Sequence, residues 1–170
     1  DAIELNVYSI ETDAYASSAN VEERLLRLVV AVRQAVSVPI AVKLSPYYTA
    51  FANLAHRLAE ARADGLVLFN RFVQPDIDIA RIEVSTGLEL SRREELRVAI
   101  RWLALLDGRV DVSLAATGGV HTSEDAVKAI LAGADAVMMT SALLRDGIGR
   151  MRAVRNGLGD WLDENGLTLA

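Results

Sequence analysis

The stretch Ala115-Ala116-Thr117-Gly118-Gly119-Val120 decides the fold of this chain, because an apolar run there breaks into glycine where a helix is due to begin. The stretch Met138-Met139-Thr140-Ser141-Ala142 repeats the pattern one β-α unit later, with hydroxyl side chains in place of glycine. Glycine lets a backbone come close to a ligand, and the N–H groups at the start of a helix favour an anion. Two such turns on consecutive units predict a phosphate cradle, like the one formed after strands seven and eight of many (β/α)8 barrels.

Short apolar runs alternate with helical patterns on both sides of these turns. Near-continuous apolar strands that alternate with helices predict an α/β fold with a parallel sheet covered on both faces. Such a sheet fits either a flavodoxin-like domain or part of a barrel. The strands are predicted at Ala2–Tyr8, Ile40–Leu44, Leu66–Phe69, Val112–Ala116 and Ala136–Met139.

The helices between these strands follow the 3.6-residue apolar period. Ser91 and Glu94 have capping-box spacing at the start of the third helix. The connection from Asn70 to Leu90 is long for a β-α loop, and loops of this length in compact domains are often functional. The helices are predicted at about Val21–Val36, Ala50–Arg62, Ser91–Leu106, Ser123–Leu131 and Ile148–Asn165.

The length of the chain bears on which of the two folds is formed. The chain has 170 residues, whereas a complete barrel typically needs about 250. We therefore interpret residues 1–170 as a single domain that forms the C-terminal portion of a (β/α)8 TIM barrel, about strands 4–8. Three further β-α units, the N-terminal part of the barrel, are expected upstream.

The composition excludes several classes of function. The sequence has no cysteine, which rules out disulfides, thiolate metal sites and a cysteine nucleophile. The only histidines, His56 and His121, are too few for a histidine-rich centre and neither is expected to act as a base, so we predict no metal site. A formal charge of −5 with scattered basic residues predicts no nucleic-acid partner. No apolar run is long enough to span a membrane and no signal peptide is evident, so the default expectation is a cytoplasmic protein.

Polar residues stand out in the apolar strands. Glu4 and Asn6 share one face of their strand, because side chains alternate. Lys43 shares a face with small Ala41 and lies near the carboxyl end of its strand, the edge where α/β proteins bind ligands. A barrel interior rarely holds an unpaired ammonium, which favours a functional Lys43. Glu4 is interpreted as a structural ion-pair partner, while Asn6 and Asn70 fit either a ligand or turn backbone.

In their order along the chain, these residues resemble the dihydroorotate dehydrogenase family. The resemblance covers nearly the whole chain, and it is especially close to the group called dihydroorotate dehydrogenase-like proteins. It rests on Glu4-Leu5-Asn6, Val42-Lys43-Leu44-Ser45-Pro46, Gly65–Phe72 with Asn70, Ser113–Gly119, and Thr140-Ser141-Ala142-Leu143.

The resemblance implies an FMN-dependent barrel that oxidises a dihydroorotate-like small molecule to orotate in pyrimidine synthesis. Lys43 would be catalytic and would bind the flavin near N1, and Asn6 and Asn70 would bind the substrate, Asn70 also the flavin. The family's base that takes the C5 proton corresponds to Ser9, three residues beyond Asn6, which is flanked by Ile10 and Glu11 where the family usually has proline and asparagine. A homodimer is also possible. The residues implied to hold the phosphate end of FMN are Thr117, Gly118, Gly119, Thr140 and Ser141.

Two alternatives remain open from the residues alone. Lys43 could be the nucleophile of a Schiff-base lyase or aldolase, with the same cradle holding a sugar phosphate. The chain could also be a non-catalytic relative that keeps the flavin, because a serine hydroxyl is a poor base without activation.

Overall fold

The apolar runs form a five-stranded parallel sheet in the computed structural model, which describes residues 1–8, 10–87 and 89–169. Its strands lie side by side in chain order, with no reversal of direction across the sheet. A flavodoxin-like domain has such a reversal, so the sequential order favours the barrel alternative. The strands are β1 (Ile3–Asn6), β2 (Ile40–Leu44), β3 (Gly65–Leu68), β6 (Ser113–Ala116) and β7 (Ala136–Val137), and a separate antiparallel hairpin consists of β4 (Asp76–Asp78) and β5 (Glu83–Ser85).

The helices pack on one face of the sheet, where the first four contact one another in chain order and the last contacts the fourth and the fifth. On that face Val42, Leu66 and other aliphatic side chains are fully buried against the helices. The opposite face is partly open, because Asn6 and Ser113 are exposed there. The prediction of a sheet covered on both faces is therefore wrong for the described residues. The helices are α1 (Ser18–Ala35), α2 (Phe51–Glu60), α3 (Leu96–Leu106), α4 (Ser123–Leu131), α5 (Ser141–Asp146) and α6 (Gly149–Glu164).

Three of the predicted helices begin differently in the structure. Helix α1 begins at Ser18 because the Ser17 hydroxyl caps it, accepting the Asn20 N–H at 3.2 Å. A short 3-10 turn, Arg93–Glu95, precedes α3. The predicted C-terminal helix from Ile148 is preceded by the separate helix α5, which ends at Asp146 and is followed by Gly147 with φ of 80°.

Two aspartates fix the amino ends of the strands by the same contact. Asp64, just before β3, accepts the N–H of Ile40 on Oδ2 at 2.7 Å and donates its own N–H to the Ile40 carbonyl at 2.8 Å. Asp135, just before β7, makes the same pair of bonds with Leu114, at 2.7 and 2.8 Å. Each aspartate thus satisfies an N–H near the start of the neighbouring strand and sets the register between the two strands.

None of the helices in the described ranges is both long and apolar enough to cross a membrane.

Candidate functional site

A cleft of about 280 Å³ lies at the carboxyl ends of the parallel strands. It is the edge at which parallel α/β sheets bind ligands. The cleft brings together residues from the carboxyl end of each strand of the large sheet or from the turn that follows it. The predicted site residues that line it are Asn6, Lys43, Asn70, Thr117, Gly118, Gly119, Thr140 and Ser141. Ser9, the predicted base, lies outside the described residues.

Lys43 is paired across strands with a carboxylate. Its Nζ lies 3.6 Å from Oε1 of Glu4, and both side chains are partly buried. The parallel register places Asn6 beside Lys43 and Glu4 beside Ala41, one layer deeper in the sheet. The prediction of Glu4 as an ion-pair partner is confirmed. The Lys43 ammonium faces the cleft, and the Glu4 carboxylate, one layer deeper in the sheet, compensates its charge.

Asn70 links the ends of three strands. It is only 8 % exposed, and its Nδ2 donates to the carbonyls of Val7 at 2.8 Å and Lys43 at 3.2 Å. Its backbone N–H donates to the Leu44 carbonyl at 2.7 Å. The amide nitrogen therefore holds the turn backbone, one of the two roles predicted for it. The carbonyl oxygen of the side chain accepts no hydrogen bond from the described residues and is left for a ligand.

The two glycines of the first turn differ in their surroundings. Both have positive φ, 83° at Gly118 and 80° at Gly119. A Cβ on Gly119 would lie 2.6 Å from the backbone nitrogen of Leu96, so this glycine is required by packing. A Cβ on Gly118 would meet nothing within 4 Å, so the space above Gly118 is open to the cleft. Gly118 is the glycine that allows a ligand to approach the backbone.

The start of helix α4 already holds an anion of its own. The Asp125 carboxylate accepts the N–H groups of His121 at 3.1 Å and Thr122 at 2.9 Å, and it is paired with Arg93. Burial acts to raise the pKa of the Asp125 carboxyl, but the hydrogen bonds from Arg93, His121 and Thr122 outweigh it and lower that pKa. Asp125 therefore occupies the N–H groups of His121 and Thr122, and the expectation that this helix start attracts a phosphate stays a prediction for its other N–H groups.

Tyr8 lines the cleft and belongs to an aromatic rim beside it. The rings of Tyr8 and Phe72 are stacked, with centroids 4.4 Å apart, and Tyr47 approaches Phe72 at 5.5 Å. The Tyr8 hydroxyl accepts the N–H of Val73 at 3.0 Å. This rim joins segments that are far apart in the sequence, which is why the sequence pattern did not indicate it.

Comparisons with known proteins identify the family of this chain. A family model described as dihydroorotate dehydrogenase matches residues 1–162. The chain belongs to the dihydroorotate dehydrogenase family. Among its relatives is the dihydroorotate dehydrogenase B (NAD(+)) catalytic subunit of Cutibacterium acnes, 38% identical over 79% of this chain and 44% of the relative.

Two archaeal relatives carry the same name. That of Methanothermobacter thermautotrophicus is 35% identical over 86% of this chain and 50% of the relative. That of Methanocella arvoryzae is 32% identical over 99% of this chain and 57% of the relative. The chain thus spans about half the length of the curated relatives that it matches.

Two buried side chains at this edge of the sheet were not predicted from the sequence as part of the site. Ser91 has the spacing of a helix cap, but its hydroxyl contacts Gly119 and His121 instead. His121 is 4 % exposed and lies directly behind the glycine turn. In the sequence, the only indication of a role for His121 is that it directly follows an apolar residue of that turn. Its partners are 24 and 30 residues away, and nothing local to the sequence identifies them.

Proposed function

We propose that the protein is an FMN-dependent oxidoreductase that oxidises dihydroorotate to orotate, and that residues 1–170 form one domain, about strands 4–8 of a (β/α)8 barrel. The observation that carries the proposal is the single cleft that joins Lys43, Asn6 and Asn70 at one end to Gly118 and Ser141 at the other. Family membership and a sequential parallel sheet with one open face support it.

The residues present fit the phosphate end of FMN. The space over Gly118 is open, and its backbone N–H donates to no acceptor among the described residues. The Thr140 side chain makes no capping hydrogen bond, so its hydroxyl is also available at the cleft. Backbone N–H groups and hydroxyls of this kind bind phosphate without a cationic side chain. The bound flavin would supply the two-electron acceptor that a protein side chain cannot provide.

The chain's own residues would position the substrate and stabilise charge. Lys43 would donate hydrogen bonds from Nζ to the flavin ring and stabilise negative charge near its N1. Asn6 and the free carbonyl oxygen of Asn70 would hold the substrate in the same cleft. The Ser9 Oγ would accept the C5 proton of dihydroorotate, which requires activation by a neighbouring group.

The Schiff-base alternative has less support from the site. A nucleophilic lysine is usually activated by an apolar pocket or by a second cation. Lys43 instead has the Glu4 carboxylate as its neighbour. Borohydride treatment in the presence of phosphorylated carbonyl compounds is therefore expected to leave Lys43 unmodified.

The names of the relatives favour a further subunit. Each of the relatives described above is called a catalytic subunit and named with NAD(+). We include in the proposal a partner subunit that passes electrons to NAD+, and a homodimer of the catalytic chain. Light scattering on the full-length protein, alone and with candidate partners, measures both.

The deciding experiment is flavin reduction in the full-length protein. The protein is expected to purify yellow with FMN and to lose its oxidised flavin absorbance when mixed anaerobically with dihydroorotate. A colourless protein that takes up no FMN would overturn the proposed cofactor. A yellow protein whose flavin stays oxidised would instead identify a non-catalytic relative.

A further inference from the structure

A polar cluster behind the cleft links the two turns of the predicted cradle. The cluster consists of Ser91, His121 and Arg145. Ser91, which is 4 % exposed, donates its N–H to Ser141 Oγ at 2.9 Å, while its own Oγ accepts the N–H of Gly119 at 3.2 Å. One buried serine therefore bridges the glycine turn after β6 and the serine turn after β7.

These hydrogen bonds determine which donor groups remain available to a ligand. Ser141 Oγ accepts a hydrogen bond from Ser91, so its single hydroxyl hydrogen is free to donate towards the cleft. The N–H of Gly119 is used by Ser91 and is not available to a ligand. The chain thus offers an anion the Ser141 hydroxyl, with its oxygen held in place from behind.

Arg145 determines the tautomer of His121. Its Nη2 lies 3.1 Å from His121 Nδ1, and a guanidinium can only donate. Nδ1 is therefore the acceptor, and the ring hydrogen is on Nε2, 3.4 Å from Ser91 Oγ. Arg145 also approaches the Ser91 carbonyl at 3.4 Å. Helix α5, which carries both Ser141 and Arg145, is in this way tied to the segment before α3.

We propose that Ser91, His121 and Arg145 are positioning residues for the phosphate group of the flavin. They hold the Gly118–Gly119 backbone and the Ser141 hydroxyl at the separation that a phosphate needs, without touching it. The inference rests on the proposed function, since it requires that the protein binds FMN. A binding group that shifts by a fraction of an ångström loses much of its affinity, so supporting contacts of this kind affect binding strongly.

The test compares FMN with riboflavin, which has the same ring system and no phosphate. Binding of each to the flavin-free full-length protein is measured by fluorescence quenching for the wild type, Ser91→Ala, His121→Phe and His121→Gln. His56→Phe, on the exposed face of α2, is the matched control. Ser91→Ala and His121→Phe are expected to weaken FMN binding at least tenfold and to leave riboflavin binding within twofold. His121→Gln, whose amide can donate to Ser91 and accept from Arg145, is expected to restore most of the FMN affinity.

The outcomes separate the inference from the proposed function. A wild type that binds neither flavin overturns the proposed function and the inference with it. A wild type that binds FMN, with variants that lose FMN and riboflavin equally or lose neither, overturns the inference alone. If His121→Phe does not fold, Ser91→Ala gives the decision, because removing one hydroxyl leaves the packing nearly unchanged.

Discussion

Lys43 Nζ on β2 lies 3.6 Å from Glu4 Oε1 on β1. This separation is short enough for an ion pair but longer than a typical N–H···O hydrogen bond. The carboxylate therefore compensates the ammonium charge without holding its hydrogens in a short hydrogen bond. Because Glu4 lies one layer deeper than Asn6, the ammonium remains directed to the cleft.

Replacing this ammonium is expected to slow chemistry more than it weakens cofactor binding. In Lys43→Met, reduction of the flavin by dihydroorotate should slow by about 100-fold or more, the usual cost of losing one charge-stabilising donor. FMN affinity should change much less, because the phosphate end is untouched. Anaerobic stopped-flow absorbance measures the rate. The matched control is Lys128→Met, since Lys128 is the other lysine of the chain and is exposed on α4. Equal rates for Lys43→Met and the control would refute this role.

The two glycines of the first turn are expected to respond differently to alanine. Gly119→Ala should lower the free energy of unfolding by several kcal/mol, because its Cβ would overlap the Leu96 nitrogen at 2.6 Å. Gly118→Ala should cost only about 1–2 kcal/mol for its left-handed backbone, since no atom lies within 4 Å. Its methyl group should nevertheless weaken FMN binding. Urea denaturation and flavin titration measure the two effects, and a Gly118→Ala protein with wild-type FMN affinity would contradict the prediction.

The sequence predicted the large sheet well and the site's supporting contacts poorly. Strand β2 was predicted at its observed bounds, because buried parallel strands are continuous apolar runs. The β4–β5 hairpin was missed, since its strands have three residues each and Ile77 and Val84 are exposed. Helix α5 was missed because six residues cannot establish a helical period.

The sequence predicted residues of the cleft where a distinctive residue type stands at or just after a strand end. Lys43 and Gly118 are such residues, and both line the cleft. The bridge through Ser91 depends on contacts 28 and 50 residues away in the chain. Contacts over such distances depend on how the turns fold over the sheet, which a pattern of residue types does not encode.

Asp125 is expected to make stability depend on acid pH. Its carboxyl pKa is lowered in the folded protein, so it stabilises the fold above its ordinary pKa of about 3.9 and loses this contribution as pH falls below that value. Asp125→Asn should lower the free energy of unfolding by about 2 kcal/mol at pH 7, the usual value of hydrogen bonds to a charged group. The difference from wild type should shrink towards pH 3. Urea denaturation at both pH values measures it, with Asp160→Asn on the exposed side of α6 as control. A difference that does not change with pH would contradict the assignment.

The aspartates before β3 and β7 are expected to affect folding and not binding. Asp64→Ala and Asp135→Ala each leave a strand N–H, of Ile40 or Leu114, without its acceptor. Each should lower the free energy of unfolding by about 1 kcal/mol and leave FMN affinity unchanged. Urea denaturation and flavin titration of the same preparations measure both quantities. Asp160→Ala is the control, and a loss of FMN affinity in either variant would show that the two ends of the sheet are coupled.

Those aspartate contacts at the amino ends of the strands bear on how the family can diversify. The groups that set strand register lie at one end of the sheet, and the cleft lies at the other. Substitutions around the cleft that keep Asn70 and Gly119 therefore leave the strand alignment intact. A lineage can exchange residues such as those beside Ser9, and so acquire a new substrate or lose turnover, while its descendants continue to fold.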